Sequence, residues 1–476
     1  MTRLVTTLIA AALIQACQLP GQSTTAAAPA IDSTWALRDS ARVTEGSRAI
    51  VVSGNPIASD VGKAILQRGG NAIDAAVAVG FALQVVHPEA GNIGGGGFMV
   101  IRLADGSVHS IDYREKAPAK ATRNMYVGPD GNPTRASWTG HLASGVPGAV
   151  AGMAEAHKRF GKLPWADVIA PAIQLASDGF LVDEYRSRTI GSDSSRLVRF
   201  RASAAQYLPG GRPPEPGTVW KQPDLAKTLS AIQANGPAGF YSGPVADLIV
   251  AEMRRGGGLI TKEDLAGYEA KWRDPLSFKY RGHTVYSMPP ASSGGVTLAL
   301  ILNILEGFDP LPPFGSAALL HRQAEAMRRA FAERNASLGD PDFVQNPIAR
   351  MTSKDHAASR RAEINPERAT PTTDLTPIAD ESTETTHYSV VDQDGNAVST
   401  TTTLNGSFGS AVTVTGAGFL LNNEMDDFTT APGKPNSYGL VQGEANAIVP
   451  GKRMLSAMTP SIVLDPDGKL LMVVGT

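Results

Sequence analysis

Cysteine is almost missing from this chain. Of 476 residues only Cys17 is one, so no disulfide can form within the chain. Excess charge is missing too. Lys and Arg number 43 against 45 Asp and Glu, for a net charge of −2. Nothing in that balance makes a basic surface for nucleic acid, and no nucleic-acid partner is expected. The eight histidines, at 87, 109, 141, 157, 283, 321, 356 and 387, never fall into HExxH or another ligand spacing. Neither a metal nor a cofactor is called for. There is no GxSxG elbow to support a serine triad. The run Gly91-Asn92-Ile93-Gly94-Gly95-Gly96-Gly97 lacks the Lys-Ser/Thr ending of a phosphate cradle, and a strand pattern follows it. It reads as a structural turn or a site-lining loop. No internal repeat is visible.

The features present begin at the N-terminus. Met1-Thr2-Arg3 is a short positive start, and Leu4 to Ile14 is an apolar run of signal-peptide length. Ile14-Gln15-Ala16-Cys17 has the form of a lipoprotein cleavage box. Residues 1–17 therefore read as an export signal, with Cys17 lipidated and the protein membrane-anchored in a periplasm. Residues 18–48, rich in Ser, Thr, Ala and Pro at first, read as a tether and entry segment.

Helical patterns follow at Asn55–Arg68, stopped by Gly69-Gly70, and at Ala72–Val86, which is small or apolar all round and so belongs inside. Phe98–Leu103 and Ser107–Tyr113 alternate like strands about an Asp105-Gly106 turn. From Gly148 to Leu338 helices dominate: Ala149–Phe160, Trp165–Ser177, Leu225–Ala234, Val245–Arg255, Val296–Leu305 and Ala317–Leu338. Thr261 with Asp264 resembles a capping box. Residues 362–384, with Pro366, Pro371 and Pro377 among Thr, Asp and Glu, read as an exposed, mobile segment. Two hairpins come after it, Tyr388–Val391 with Ala397–Thr403, and Ser461–Leu464 with Leu470–Val474. The order predicts an α+β fold, sheets covered by helices. The last strand is so apolar that it reads as central, which predicts that the natural chain continues.

The most informative stretch is Glu384-Thr385-Thr386-His387-Tyr388-Ser389-Val390-Val391. By propensity it is a strand entered from a loop. It also permits chemistry. A threonine hydroxyl needs a base. If the bond before Thr385 is cut, its own α-amine, titrating at roughly 7.7–8.0, becomes that base. A mobile segment just upstream would leave the scissile bond accessible and let the new ends part.

Thr385 to Val391 resembles the start of the small subunit of the gamma-glutamyltranspeptidases. Similar too are Thr403-Leu404-Asn405, Leu421-Asn422-Asn423-Glu424-Met425-Asp426-Asp427-Phe428, Pro435-Asn436-Ser437-Tyr438-Gly439, Asp112-Tyr113-Arg114-Glu115-Lys116-Ala117-Pro118 and the Gly91–Gly97 loop. The resemblance runs from about Ala49 onward. It implies an N-terminal nucleophile (Ntn) hydrolase fold, a four-layer αββα sandwich. It implies cleavage between Glu384 and Thr385 into associated large (49–384) and small (385–476) subunits of one precursor. Thr385 would attack glutathione or another γ-glutamyl amide, and water or an amino acid or peptide would resolve the acyl-enzyme. Thr403 takes the role of the hydroxyl assisting the nucleophile, and Arg114 that of the clamp on the substrate α-carboxylate. Asn405, Glu424 and Asp427 would hold the α-ammonium, and Tyr438 lies in the lid loop, residues 431–443.

Two departures from the family follow. Where it usually has paired serines, this chain has Ser456-Ala457. Ser456 remains a donor to the carboxylate, and one lost charge-assisted hydrogen bond costs roughly 1.5–3 kcal/mol. The family's Pro-Gly-Gly oxyanion hole would begin directly after Thr476. The alternatives are a glutaryl-type cephalosporin acylase of the same fold, which has no need of the amine, and a truncated, catalytically incompetent relative. Glu424 and Asp427 favour the γ-glutamyl reading.

Overall fold

The computed structural model describes residues 44–91, 93–371, 385–431, 433–436, 439 and 441–475. The export signal with Cys17, nearly all of the tether, Glu384 and Tyr438 lie outside the described residues, as does most of the segment upstream of Thr385. The part that is described, 362–371, is largely exposed and has no regular structure beyond its first residue.

Two helices open the main unit. In α1 (Pro56–Gln67) the Asn55 side chain accepts the Ile57 amide at 2.9 Å, and Pro56 starts the first turn, where a missing N–H costs nothing. In α2 (Ala72–Val86) every residue is buried. Asn71 and Asp74 close its N-terminus as a capping box, and the buried Asp74 carboxylate also accepts the amides of Lys162 and Leu163. Small residues let the helix sit close to its neighbours. A Cβ on Gly80 would lie 2.8 Å from both Met153 Sδ and Tyr388 Oη.

The twelve strands are β1 (Ile50–Val52), β2 (Gly96–Arg102), β3 (Val108–Asp112), β4 (Phe180–Leu181), β5 (Val219–Trp220), β6 (Lys271–Arg273), β7 (Leu276–Tyr280), β8 (His283–Ser287), β9 (Thr386–Val391), β10 (Ala397–Thr403), β11 (Ser461–Leu464) and β12 (Leu470–Val474). Except for the small β4–β5 ribbon they form two antiparallel sheets, ordered β1-β9-β10-β2-β3-β6 and β12-β11-β8-β7. The β2–β3 and β9–β10 turns each place a glycine at positive φ, Gly106 at 88° and Gly395 at 88°. Strand β10 is buried along its whole length and pairs with β9 and β2. Its β-branched residues suit a central strand, and Thr402 donates to Gly96 O at 2.8 Å.

The sheets stack through Phe98, Val100, Met288, Met458 and Ile462. Helices α1, α2 and α3 (Ala149–Phe160) cover the outer face of the larger sheet, and α4 (Trp165–Asp178) packs on α2. The helix Gly294–Glu306 covers the smaller sheet and packs in turn on Ala317–Ser337 and Lys354–Ala362. That makes four layers, αββα, as expected. Among the described residues β12 pairs only with β11, and its Leu471, Met472 and Val474 are exposed. No described helix is long and apolar enough to cross a membrane.

Candidate active site

Strand β9 begins at Thr386, and Thr385 stands exposed just before it. The β9–β10 ladder runs as far as Thr386 opposite Thr402. One further step in that register sets Thr385 opposite Thr403, the last residue of β10, which itself pairs with Gly96. Thr403 Oγ1 accepts the Asn405 amide at 2.9 Å, holding the turn in which Asn405 adopts φ 78°.

The glycine run serves close packing. A Cβ on Gly94 would lie 1.9 Å from Leu420 O, and one on Gly95 would lie 2.1 Å from Thr403 O. Gly94 O accepts the Asn422 side chain at 2.7 Å. The loop thus joins the end of β10 to the segment carrying Glu424, and only glycine permits that approach.

Asn423 ties the same two segments. Its amide donates to Leu404 O at 2.9 Å, and its carbonyl accepts Asn405 Nδ2 at 2.9 Å. Beyond it a short 3-10 turn, Glu424–Asp427, brings Glu424 and Asp427 to Arg114. Arg114 lies two residues beyond the end of β3, in a turn where Asp112 Oδ1 accepts its amide at 3.0 Å and its carbonyl accepts Tyr268 Oη at 2.8 Å. The fully buried guanidinium donates from Nε to Met454 O at 3.3 Å. Glu424 Oε2 lies 2.5 Å from Nη1, Asp427 pairs with Nη2, and Glu115 Oε2 is 3.6 Å from Nη1.

Three carboxyls therefore surround one guanidinium out of water. Burial opposes the Arg114 charge, but Glu424, Asp427 and Glu115 outweigh it and hold its pKa above the ordinary range. Burial pushes Glu115 up to about 8 against the pull of Arg114. It pushes Glu424 well up too, again against Arg114, with Glu115 and Asp427 adding to the rise. The pairing is close in charge but poorly aligned as hydrogen bonding. Arg114 Nη1 and all four carboxyl oxygens of Glu115 and Glu424 lack a well-directed partner among the described residues.

Ser456 lies two residues beyond the Met454 carbonyl that Arg114 holds. It is buried and its Oγ accepts the Met458 amide at 3.1 Å. Ala457 beside it is exposed. The structure thus gathers Arg114, Asn405, Glu424 and Asp427 with the Thr385/Thr403 end of the central hairpin, and Ser456 stands nearby through Met454. Sequence reading missed Glu115 as a member, though it adjoins Arg114. It also missed Arg334, which senses the charges of both Asp427 and Arg114. A surface cleft of about 590 Å³ near Tyr241, Tyr268 and Trp272 includes none of these predicted residues.

Two stacked antiparallel sheets between helical layers, with a threonine at the mouth of a central strand, define an Ntn hydrolase. The gamma-glutamyltranspeptidase family profile matches residues 58–476. The glutathione hydrolase proenzyme of Pseudomonas sp. (strain A14) is 52% identical over 433 residues, 90% of this chain and 75% of that protein. Among solved structures, gamma-glutamyltranspeptidase from Helicobacter pylori is 44% identical with a TM-score of 0.68, over 71% of this chain and 97% of that one. The cephalosporin acylase from Bacillus halodurans is 29% identical with a TM-score of 0.78, over 91% of this chain and 78% of that one. The chain belongs to the gamma-glutamyltranspeptidase family, a family of enzymes.

Proposed function

We propose that the chain is a self-processing γ-glutamyl hydrolase and transferase whose nucleophile is Thr385. The observation that carries this reading is the Arg114–Glu424–Asp427 cluster beside the Thr385 end of β9. A γ-glutamyl head group carries one α-carboxylate and one α-ammonium. Its carboxylate can take over the Arg114 fork, with the Ser456 hydroxyl donating to it, while its ammonium takes over Glu424 and Asp427 and the Asn405 amide carbonyl. Charge pairs are exchanged without adding net charge to a buried site. A glutaryl amide has no ammonium to offer Glu424 and Asp427, so the acylase reading is the weaker one.

Cleavage of the Glu384–Thr385 bond gives Thr385 a free α-amine. That amine takes the hydroxyl proton as Oγ1 attacks the γ-carbonyl carbon, then passes it to the leaving amine as the C–N bond breaks. The acyl-enzyme ester is resolved by water, or by the amino group of an amino acid or peptide. Glutathione and other γ-glutamyl compounds are the substrates, and the two subunits of the precursor stay together. Thr403, at the facing end of β10, assists the nucleophile, and Tyr438 belongs to the lid.

An intact mass spectrum of the purified protein tests this. Two pieces meeting at Glu384/Thr385 are expected, and Thr385→Ala should give one uncut mass and no acyl transfer. Cleavage or turnover surviving in that variant would overturn the nucleophile assignment. The composition of residues 1–17 supports export with lipidation at Cys17, and a Cys17→Ser variant should leave the membrane fraction. If it stays there, lipidation is not the anchor.

A further inference from the structure

We propose that Arg334 is a positioning residue of the carboxylate subsite, acting through Ser293 on Ser456. The proposal rests on the reading of Arg114 and Ser456 just given.

Arg334 lies in the last turn of the helix Ala317–Ser337 and is 2% exposed. A buried guanidinium ordinarily sits on a carboxylate. This one hydrogen-bonds to neutral groups instead: Nε to Ser293 Oγ at 3.0 Å and Nη1 to Asn335 Oδ1 at 2.9 Å. Because the guanidinium can only donate, Ser293 Oγ is an acceptor there and its own hydrogen is free to point elsewhere. It points to Ser456 O, at 2.6 Å, and the Ser293 amide donates to the same carbonyl at 2.7 Å.

The Ser456 backbone is held on its other side as well, since its amide donates to Ala291 O at 3.0 Å. With the Met458 amide already donating to Ser456 Oγ, the Ser456 hydroxyl hydrogen is left for a ligand. The chain Arg334–Ser293–Ser456 therefore sets where that donor stands. A cation at its head polarises each hydroxyl and carbonyl along it. The next residue, Ala457, has no hydroxyl with which to compensate for a badly placed Ser456.

The test is steady-state kinetics of the processed enzyme on two chromogenic anilides. One carries a γ-glutamyl group. The other carries a 4-aminobutanoyl group, which keeps the amine and lacks the α-carboxylate. Arg334→Gln is expected to raise KM about tenfold on the γ-glutamyl anilide with kcat little changed, and to leave KM on the other anilide unchanged. Ser293→Ala should do the same, the double variant should be no worse than either single one, and Arg334→Lys should recover most of the loss. Equal losses on both anilides, or an unaltered KM, would overturn the proposal. If Arg334→Gln fails to fold, Ser293→Ala reads the same link. Arg114→Lys is the control. If it does not discriminate between the two anilides, the subsite reading itself fails. If it does while Arg334→Gln and Ser293→Ala do not, only the Arg334 proposal falls.

Discussion

Two clusters of buried charge grow from the same turn, residues 112–115. On one side Asp112 faces Arg273 and Arg453. Its Oδ2 accepts Arg273 Nε and Nη2 at 3.3 Å each, and Asp342 takes the Arg273 fork at 2.6 and 3.0 Å. Asp340 accepts the Arg453 amide at 2.7 Å, and Arg453 Nη2 donates to Glu269 O at 2.7 Å. Arg453 Nε alone in this group lacks an aligned partner. On the other side, two residues along, Arg114 is crowded by three carboxyls, and Glu115 and Glu424 have no well-directed hydrogen bond. A nearly saturated network fixes loops to a sheet edge. An unsaturated one costs stability and keeps its donors and acceptors for something else. Burial is common to both clusters, so it does not mark the functional one. Leftover hydrogen-bonding capacity does.

That contrast can be broken from either side. The largest effect is expected where saturation is removed. Arg453→Met strips buried carboxylates of a partner and should cost about 3–5 kcal/mol of stability in urea unfolding, while the kinetic constants of the folded fraction stay within about twofold. A stable variant, or one whose KM rises, would mean the first cluster is not a structural one. Next comes Arg114→Lys, which keeps the charge and loses the fork. It should lower kcat/KM on a γ-glutamyl anilide about tenfold to hundredfold, equivalent to roughly 1.5–3 kcal/mol, with the unfolding midpoint nearly unchanged. An enzyme that unfolds more easily but binds as before would reverse the assignment of the two clusters.

Much of the fold was legible because its signals are local. The helix Ala149–Phe160 matches its sequence pattern to the residue, and α2 is buried all round because it is apolar all round. The capping box at Thr261 and Asp264 is present, and the two hairpins after the nucleophile fall where their Asp-Gly turns put them. What could not be read is what distant segments do to each other. β10 pairs with β2 some 300 residues earlier in the chain, and no pattern within either strand announces it. The helices Glu184–Ser192 and Lys354–Ala362 carry too few apolar residues for periodicity to show. In the site, Arg114, Glu424 and Asp427 were marked by the family resemblance. Arg334 was not, since among Arg328, Arg329 and Glu333 it reads as part of a solvated face, and only tertiary contact turns it inward.

The smallest effect sharpens the comparison within the second cluster. Burial raises Glu115 from the ordinary 4.5 to about 8, so the folded protein holds that proton more tightly than the unfolded chain does. The stability this contributes is full below about pH 4.5 and is lost as pH rises toward 8. Between pH 6 and 7 the loss from one such group is at most about 1.4 kcal/mol. Glu115→Gln, neutral and of the same shape, should remove that share and make the unfolding free energy fall less steeply across the window. Some slope should remain, since Glu424 is shifted the same way by the same burial. Denaturant melts at half-unit pH steps measure it. A variant with the wild-type slope would mean Glu115 is already ionised in the fold, and that Arg114 answers one more negative charge than its burial implies.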